Sequence, residues 1–73
     1  MTKMLSDCNY TKVRLLHDMS RLAWFIDKHA KKDAKKAGHK ECEKLCMDLE
    51  KDLHKHIEKF RKALQNQAKA GKL

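Results

Sequence analysis

Proline is absent from this 73-residue chain, and its only glycines are Gly38 and Gly71. Proline and glycine are the residues that disfavour helix interiors most, so their scarcity favours long helices. The sequence also has none of the apolar and polar alternation that indicates strands. Its longest apolar run covers residues 22–26, far fewer than the roughly 20 residues of a transmembrane helix. We therefore predict an all-α protein that does not cross a membrane.

Cysteine is also scarce, and the three cysteines cannot all pair within one chain. Nothing at the N-terminus has the apolar run and small-residue cleavage site of a secretory signal. Free thiols are typical of reducing compartments. We expect a cytoplasmic protein without disulfides.

Two stripes of apolar residues appear at helical spacing, counted at about 100° per residue. The first comprises Leu5, Cys8, Leu15, Leu16, Met19, Leu22, Ala23, Ile26 and Ala30. The second comprises Cys42, Leu45, Cys46, Leu49, Leu53, His56, Ile57, Phe60 and Leu64. The stripes differ in phase, so one straight helix could not turn both towards the same partner.

A break between the stripes is best placed near Gly38, which can adopt the left-handed conformation that ends a helix. We predict a single domain with helix 1 at about 7–32, a turn at about 33–39, helix 2 at about 40–67 and a loose C-terminal tail. The two helices would form an antiparallel hairpin.

Four further residues, Tyr10, Val13, His17 and Trp24, lie on the side of helix 1 opposite its main stripe, with Phe25 at the edge. A chain shorter than roughly 80 residues seldom obtains more than a few kcal/mol from its own core, and usually needs a second chain, a metal or a disulfide. Isolated surface aromatics are common, but this set predicts an interface. We expect two hairpins to form a homodimeric four-helix bundle.

The segment from His39 to Cys46 could bind a metal, because His39, Cys42 and Cys46 lie on one side of a helix. A hairpin would bring His29 alongside, and two cysteines with two histidines suit zinc or another transition metal. The simpler interpretation is that both cysteines pack as small apolar residues, since free cysteine is often buried. A third is that Cys42 is reactive, because it lies near a helix start beside His39 and Lys40. We favour packing and expect no cofactor.

Charge is strongly one-sided, with 18 Lys and Arg against 10 Asp and Glu and a net charge of +8. Such a charge attracts acidic protein surfaces or nucleic acid. The lysines lack interleaved aromatics and arginine pairs, which disfavours nucleic acid. No nucleophile with a base and an orienting partner can be assigned, so we predict no enzyme. The sequence predicts a small basic structural or interaction module, with transition-metal binding and sequence-nonspecific nucleic-acid binding as alternatives.

Overall fold

The computed structural model describes residues 4–73, which form helices joined by short turns and contain no strand. The first arm consists of α1 (Asp7–Phe25), a π-helical segment (Ile26–Ala30) and α2 (Lys31–Lys36). The second arm is one uninterrupted helix, α3 (Lys40–Lys69). The all-helical prediction is therefore confirmed.

The turn between the arms depends on Gly38, which has a φ of 74°. Its N–H donates to the Lys35 carbonyl at 3.1 Å, and the His39 N–H donates to the Ala34 carbonyl at 3.0 Å. These two bonds form a Schellman motif, in which glycine avoids the steric cost of the left-handed conformation. The first arm thus extends to Lys36 rather than to the predicted 32, and the turn is shorter than the predicted 33–39.

The two arms lie antiparallel, as contacts at both ends of the hairpin demonstrate. At the turn end, the Lys31 ammonium lies 2.9 Å from a Glu50 carboxylate oxygen. At the open end, the Asn9 amide donates to the Gln67 side-chain oxygen at 3.5 Å. The molecule measures 55 × 20 × 14 Å, and is a long rod with a thin interior.

The residues between the arms form one seam, in which the spacing alternates between three and four. This is the heptad pattern of two helices that pack along their length. Eight seam residues come from the first arm: Asn9, Lys12, Leu16, Met19, Ala23, Ile26, Ala30 and Ala34. Eight come from α3: Glu43, Cys46, Glu50, Leu53, Ile57, Phe60, Leu64 and Gln67.

The π-helical segment adds one residue to the first arm and shifts the seam. The Lys31 N–H bonds to the Ile26 carbonyl five residues earlier, where an α-helix would use the residue four earlier. Strict alternation would continue from Ala30 to Asp33, but Ala34 is the buried residue and Asp33 is exposed. The extra residue thereby keeps a carboxylate out of the seam, where burial without a partner would be costly.

The C-terminal residues differ from the predicted loose tail. Gly71 has a φ of 68° and ends α3 with a second Schellman motif. The Ser6 N–H then donates to the Leu73 carbonyl at 3.1 Å, and the Asn9 amide donates to the Lys72 carbonyl at 3.1 Å. The end of the chain is therefore tied to the start of the first arm.

None of the helices within residues 4–73 combines the length and the apolar character that a membrane span requires.

Candidate functional site

Four of the predicted interface residues lie on one side of the seam, which we call the aromatic flank (Tyr10, Val13, His17 and Trp24). The fifth, Phe25, immediately precedes the seam residue Ile26 and lies outside this flank. Tyr10, Val13 and Trp24 are all exposed. Trp24 lines an open groove that also includes His54 of α3, and Val13 lines a second groove further along with Arg61. The aromatic flank therefore remains a predicted interface, with its apolar side chains available to another molecule.

His17, the polar member of this flank, is held by its neighbour Asp18. The His17 Nδ1 atom lies 3.3 Å from an Asp18 carboxylate oxygen, and the Arg14 Nε–H donates to the other oxygen at 3.2 Å. The hydrogen bond with His17, and then the contribution of Arg14, lower the pKa of Asp18 below its ordinary value. Asp18 is therefore an anion at neutral pH that neutralises part of the local positive charge.

Phe25 and Trp24 both pack against His29. The His29 ring lies 5.5 Å from the Trp24 ring in an edge-on arrangement and 5.4 Å from the Phe25 ring, centroid to centroid. Such geometry is favourable for aromatic pairs. His29 belongs to the π-helical segment, so its position depends on a feature that the helical periodicity of the sequence did not indicate.

The other members of the predicted metal group lie at the start of α3. His39 precedes the helix as its N-cap residue without forming a side-chain capping bond. Cys42 is exposed, whereas Cys46 is half-buried in the seam. Partial burial raises the pKa of the Cys46 thiol, and the neighbouring Cys42 adds to the increase. Because metal binding and nucleophilic attack both need the thiolate, the surroundings of Cys46 oppose both roles near neutral pH.

Within the part of the chain that the structure describes, no three or more His, Cys, Asp or Glu side chains form a group suited to a metal ion. The adjacency of Cys42 and Cys46 follows from their spacing of one helical turn. His29 instead has aromatic neighbours. The four-residue zinc set remains a prediction. Cys42 adjoins Cys46, and His39 lines one groove with Cys42, but the described residues do not gather three or more of the set into one group.

A second exposed surface lies on the opposite side of the seam, which we call the uncharged flank. Its members immediately precede every second seam residue: Asn9, Leu16 and Ala23 in the first arm, and Glu43, Glu50, Ile57 and Leu64 in α3. The members are the exposed Cys8, Leu15, Leu22, Cys42, Leu49 and His56 and the half-buried Ala63. The residues that immediately follow seam residues, such as Ser20, Asp27 and His54, share the groove beside Trp24. Because the arms are antiparallel, the seven flank residues of both arms lie on the other side.

Sequence reasoning missed this second surface, since it assigned Leu15, Leu22 and Leu49 to the packed stripes. All three are exposed in the hairpin. The signal was present in the spacing: only one of two adjacent residues, Leu15 or Leu16, can belong to a seam that alternates strictly between three and four. The apolar stripe is thus wider than one hairpin can bury.

Charge near the turn is partly neutralised within the molecule. Lys31 lies 3.2 Å from an Asp27 carboxylate oxygen and 2.9 Å from Glu50. The hydrogen bond to Glu50, followed by that to Asp27, raises the pKa of Lys31. Lys31 is therefore occupied by carboxylates of its own chain, whereas Lys32, Lys35 and other lysines around the turn are exposed.

No protein-family model matches the chain, and neither a curated protein nor a solved structure shows significant similarity to it.

Proposed function

We propose that this protein is a small, basic, non-catalytic interaction module that self-associates, with two hairpins packing into a four-helix bundle. The observation that carries the proposal is the amount of apolar surface that one hairpin leaves exposed. Among residues 4–73, the buried apolar side chains are Ala23, Ile26 and Ala34. Two of these are alanines, so the seam alone provides little of the burial on which small folds depend.

The total exposed area supports the same proposal. The hairpin exposes 6278 Å², whereas a compact monomer of 8.6 kDa would expose about 4,700 Å² by the usual scaling of area with mass. The difference of about 1,600 Å² is twice the roughly 800 Å² that each partner contributes to a standard interface. A second chain could therefore cover a full interface and still leave an ordinary surface.

Sedimentation equilibrium or light scattering at tens of micromolar, a concentration suited to weak dimers, tests self-association. We expect a mass of two chains. A protein that stays monomeric across this range, with its helical circular dichroism intact, contradicts the proposal. Native mass spectrometry of protein purified without chelator adds a second readout, since it measures subunit number and bound metal together. Stoichiometric zinc would favour the metal-binding alternative.

Salt separates self-association from nucleic-acid binding, because the two depend on charge in opposite directions. Two chains of +8 repel each other, and screening by salt reduces that repulsion. We therefore expect the dimer to strengthen between 50 and 500 mM salt, a range that shortens the Debye length to about a third. Binding to labelled duplex DNA or RNA would instead weaken steeply over the same range.

The unpaired cysteines support a reducing, cytoplasmic location as part of the proposal. Cys8, Cys42 and Cys46 are all free, two of them are exposed, and proteins of oxidising compartments usually pair their cysteines.

Acidic protein surfaces are the further partners that a net charge of +8 would attract.

A further inference from the structure

We propose that the second copy of the chain docks on the uncharged flank, on the side of the hairpin opposite the aromatic flank. This inference rests on the proposed self-association and identifies the surface that performs it. The uncharged flank runs along both arms, beside the seam, and its exposed leucines are Leu15 and Leu22 from α1 and Leu49 from α3. Phe25 and Leu45, one turn from flank residues, extend the apolar surface outward.

The pattern of apolar residues is the first argument. A helix that packs against one partner needs only the two seam positions of each heptad, whereas a helix in a bundle also needs a third apolar position beside them. Both arms carry this third position on the same side of the seam, directly before Leu16 and Ala23 in α1 and before Glu50 in α3. The two arms therefore present one continuous face suited to two further helices.

The distribution of charge is the second argument. None of the seven flank positions is charged, although Lys12 and Lys59 line a groove with Ala63 on this side. The opposite side of the seam includes Asp27 and Arg61. A chain of net charge +8 meets its own copy at least cost where the contacting positions are uncharged, because charges buried at an interface without partners are costly.

The choice of a second copy as occupant follows from symmetry. The flank carries no net charge that would select an acidic or basic partner, and an apolar surface of this kind is complementary to itself. A two-fold axis would place the same residues on both sides of one closed interface. The excess area of about 1,600 Å², obtained from the area scaling, is sufficient for a standard interface.

Two matched variants, Leu22→Glu and Trp24→Glu, distinguish the flanks. Both residues lie in α1 two positions apart, and both are partly exposed, Leu22 by 43% and Trp24 by 57%. We expect Leu22→Glu to weaken the dimer at least about 100-fold, because the new carboxylate would be buried without a partner. Trp24→Glu should change the dimer constant less than about threefold, as expected for a residue outside the interface.

The outcomes separate this inference from the proposed function. If the unmodified protein is dimeric and Trp24→Glu alone dissociates it, the uncharged flank is wrong and the aromatic flank is the interface. If neither variant dissociates the dimer, the inference fails while self-association stands. If the unmodified protein is monomeric, the proposed function fails as well. Circular dichroism of each variant at equal concentration shows whether the hairpin itself has remained helical.

The native cysteines provide an independent readout, because Cys8 and Cys42 lie on the uncharged flank and Cys46 lies in the seam. A Cys46→Ala variant keeps the two flank thiols and should form covalent dimers rapidly with a short bis-maleimide. Adding Leu22→Glu should slow that cross-linking at least about tenfold, since the thiols stay exposed while the chains separate. Equal rates in the two proteins would overturn the inference.

Discussion

The middle of the seam and its two ends are built from different residues. In the middle, Ala23 and Ile26 are buried, and Leu53 and Ile57 of α3 are half-buried. Both ends include polar contacts, although the buried Ala34 also lies at the turn end. At the open end, Asn9 is buried and hydrogen-bonds to Gln67, and at the turn end Lys31 pairs with Glu50.

This difference indicates that the middle of the seam provides most of the burial, whereas the polar contacts towards its ends fix the alignment of the arms. Apolar contacts are non-directional and tolerate sliding of one helix along the other. A buried polar group is satisfied only in one register, as polar residues in coiled-coil seams illustrate. We therefore expect changes in the middle to reduce the free energy of unfolding most, and changes at the ends to loosen the alignment at a smaller cost.

The largest effect should come from Ile26→Ala in the middle of the seam. Ile26 is 3% exposed, and truncating a buried isoleucine to alanine typically costs about 2–5 kcal/mol. That is comparable with the whole stability expected of a chain this small. Urea denaturation, followed by circular dichroism, should show either a protein that is already unfolded or a large decrease in the urea concentration at the unfolding midpoint. A loss below about 1 kcal/mol would mean that the middle of the seam does not dominate.

Asn9→Ala should have the next largest effect, at the open end. The substitution removes the hydrogen bonds to Gln67 and to the Lys72 carbonyl, and it leaves the Lys12 ammonium without its bond to the Asn9 side-chain oxygen. A hydrogen bond of this kind contributes about 0.5–1.5 kcal/mol, so the loss of several bonds should cost about 1–3 kcal/mol in total.

Hydrogen exchange can check the location of this effect. We expect faster exchange of the backbone amides around Ser6 and Lys72 in Asn9→Ala, with the middle of the seam less affected. Asn66→Ala, which changes an exposed amide near the same end, is the matched control. Equal behaviour of the two variants would contradict a role for Asn9 in alignment.

Gly38→Ala should have a smaller effect, at the turn. No atom lies within 4 Å of the position that the new Cβ would occupy, so only the positive φ of 74° opposes the substitution. A left-handed alanine costs about 1–2 kcal/mol. We expect a modest fall in melting temperature with unchanged helicity. An unaltered melting temperature would indicate that the turn readily adopts another conformation.

The smallest effect on stability should come from the ion pairs at the turn end, and it can be measured through the pH dependence of the melting temperature. The raised pKa of Lys31 means that its contribution is complete below the ordinary 10.5 and disappears as pH rises through the raised pKa. The hydrogen bond from Lys31 lowers the pKa of Asp27 below 3.8, so the Asp27 contribution is present above 3.8 and disappears as pH falls through the lowered pKa.

Lys31→Met should flatten both limbs of this pH profile, measured as melting temperature between pH 2 and 12, which spans both ordinary pKa values. Lys55→Met, at an exposed position on α3, should leave them unchanged. Partly exposed ion pairs contribute little, so the expected shift at neutral pH is small. Identical profiles for the two variants would show that the pairs with Asp27 and Glu50 do not form in solution.

Several features of the fold were readable from local sequence. Gly38 indicated the turn because a left-handed residue ends a helix most easily when it has no Cβ. The Ser6 hydroxyl accepts the Asn9 N–H and caps the start of the first arm, a local interaction of the kind that serine favours. Asn9 is buried in the seam only because the second arm and the C-terminus close over it.

The candidate site was less predictable than the fold. The aromatic flank was identified from its spacing alone, but the uncharged flank was merged with the seam because both lie on the apolar side of each helix. Both cysteines were expected to pack as small apolar residues, but only Cys46 is half-buried in the seam, and Cys42 is exposed. The two cysteines are one turn apart on α3, and this spacing alone does not show which of them is buried. Burial depends on where the first arm lies.

By itself, the sequence determined what depends on neighbours along the chain: helices, their caps, the turn at Gly38 and the excess of positive charge. Only the tertiary structure decided which apolar residues face the other arm. That choice required the π-helical segment, which places Ala34 in the seam in place of Asp33. The physical reason is that the inserted residue weakens the local helical hydrogen bonds. Only contacts with a helix distant in sequence can compensate for that cost. Leu22 and Leu49 remain outside the seam because one partner helix can cover only a narrow stripe.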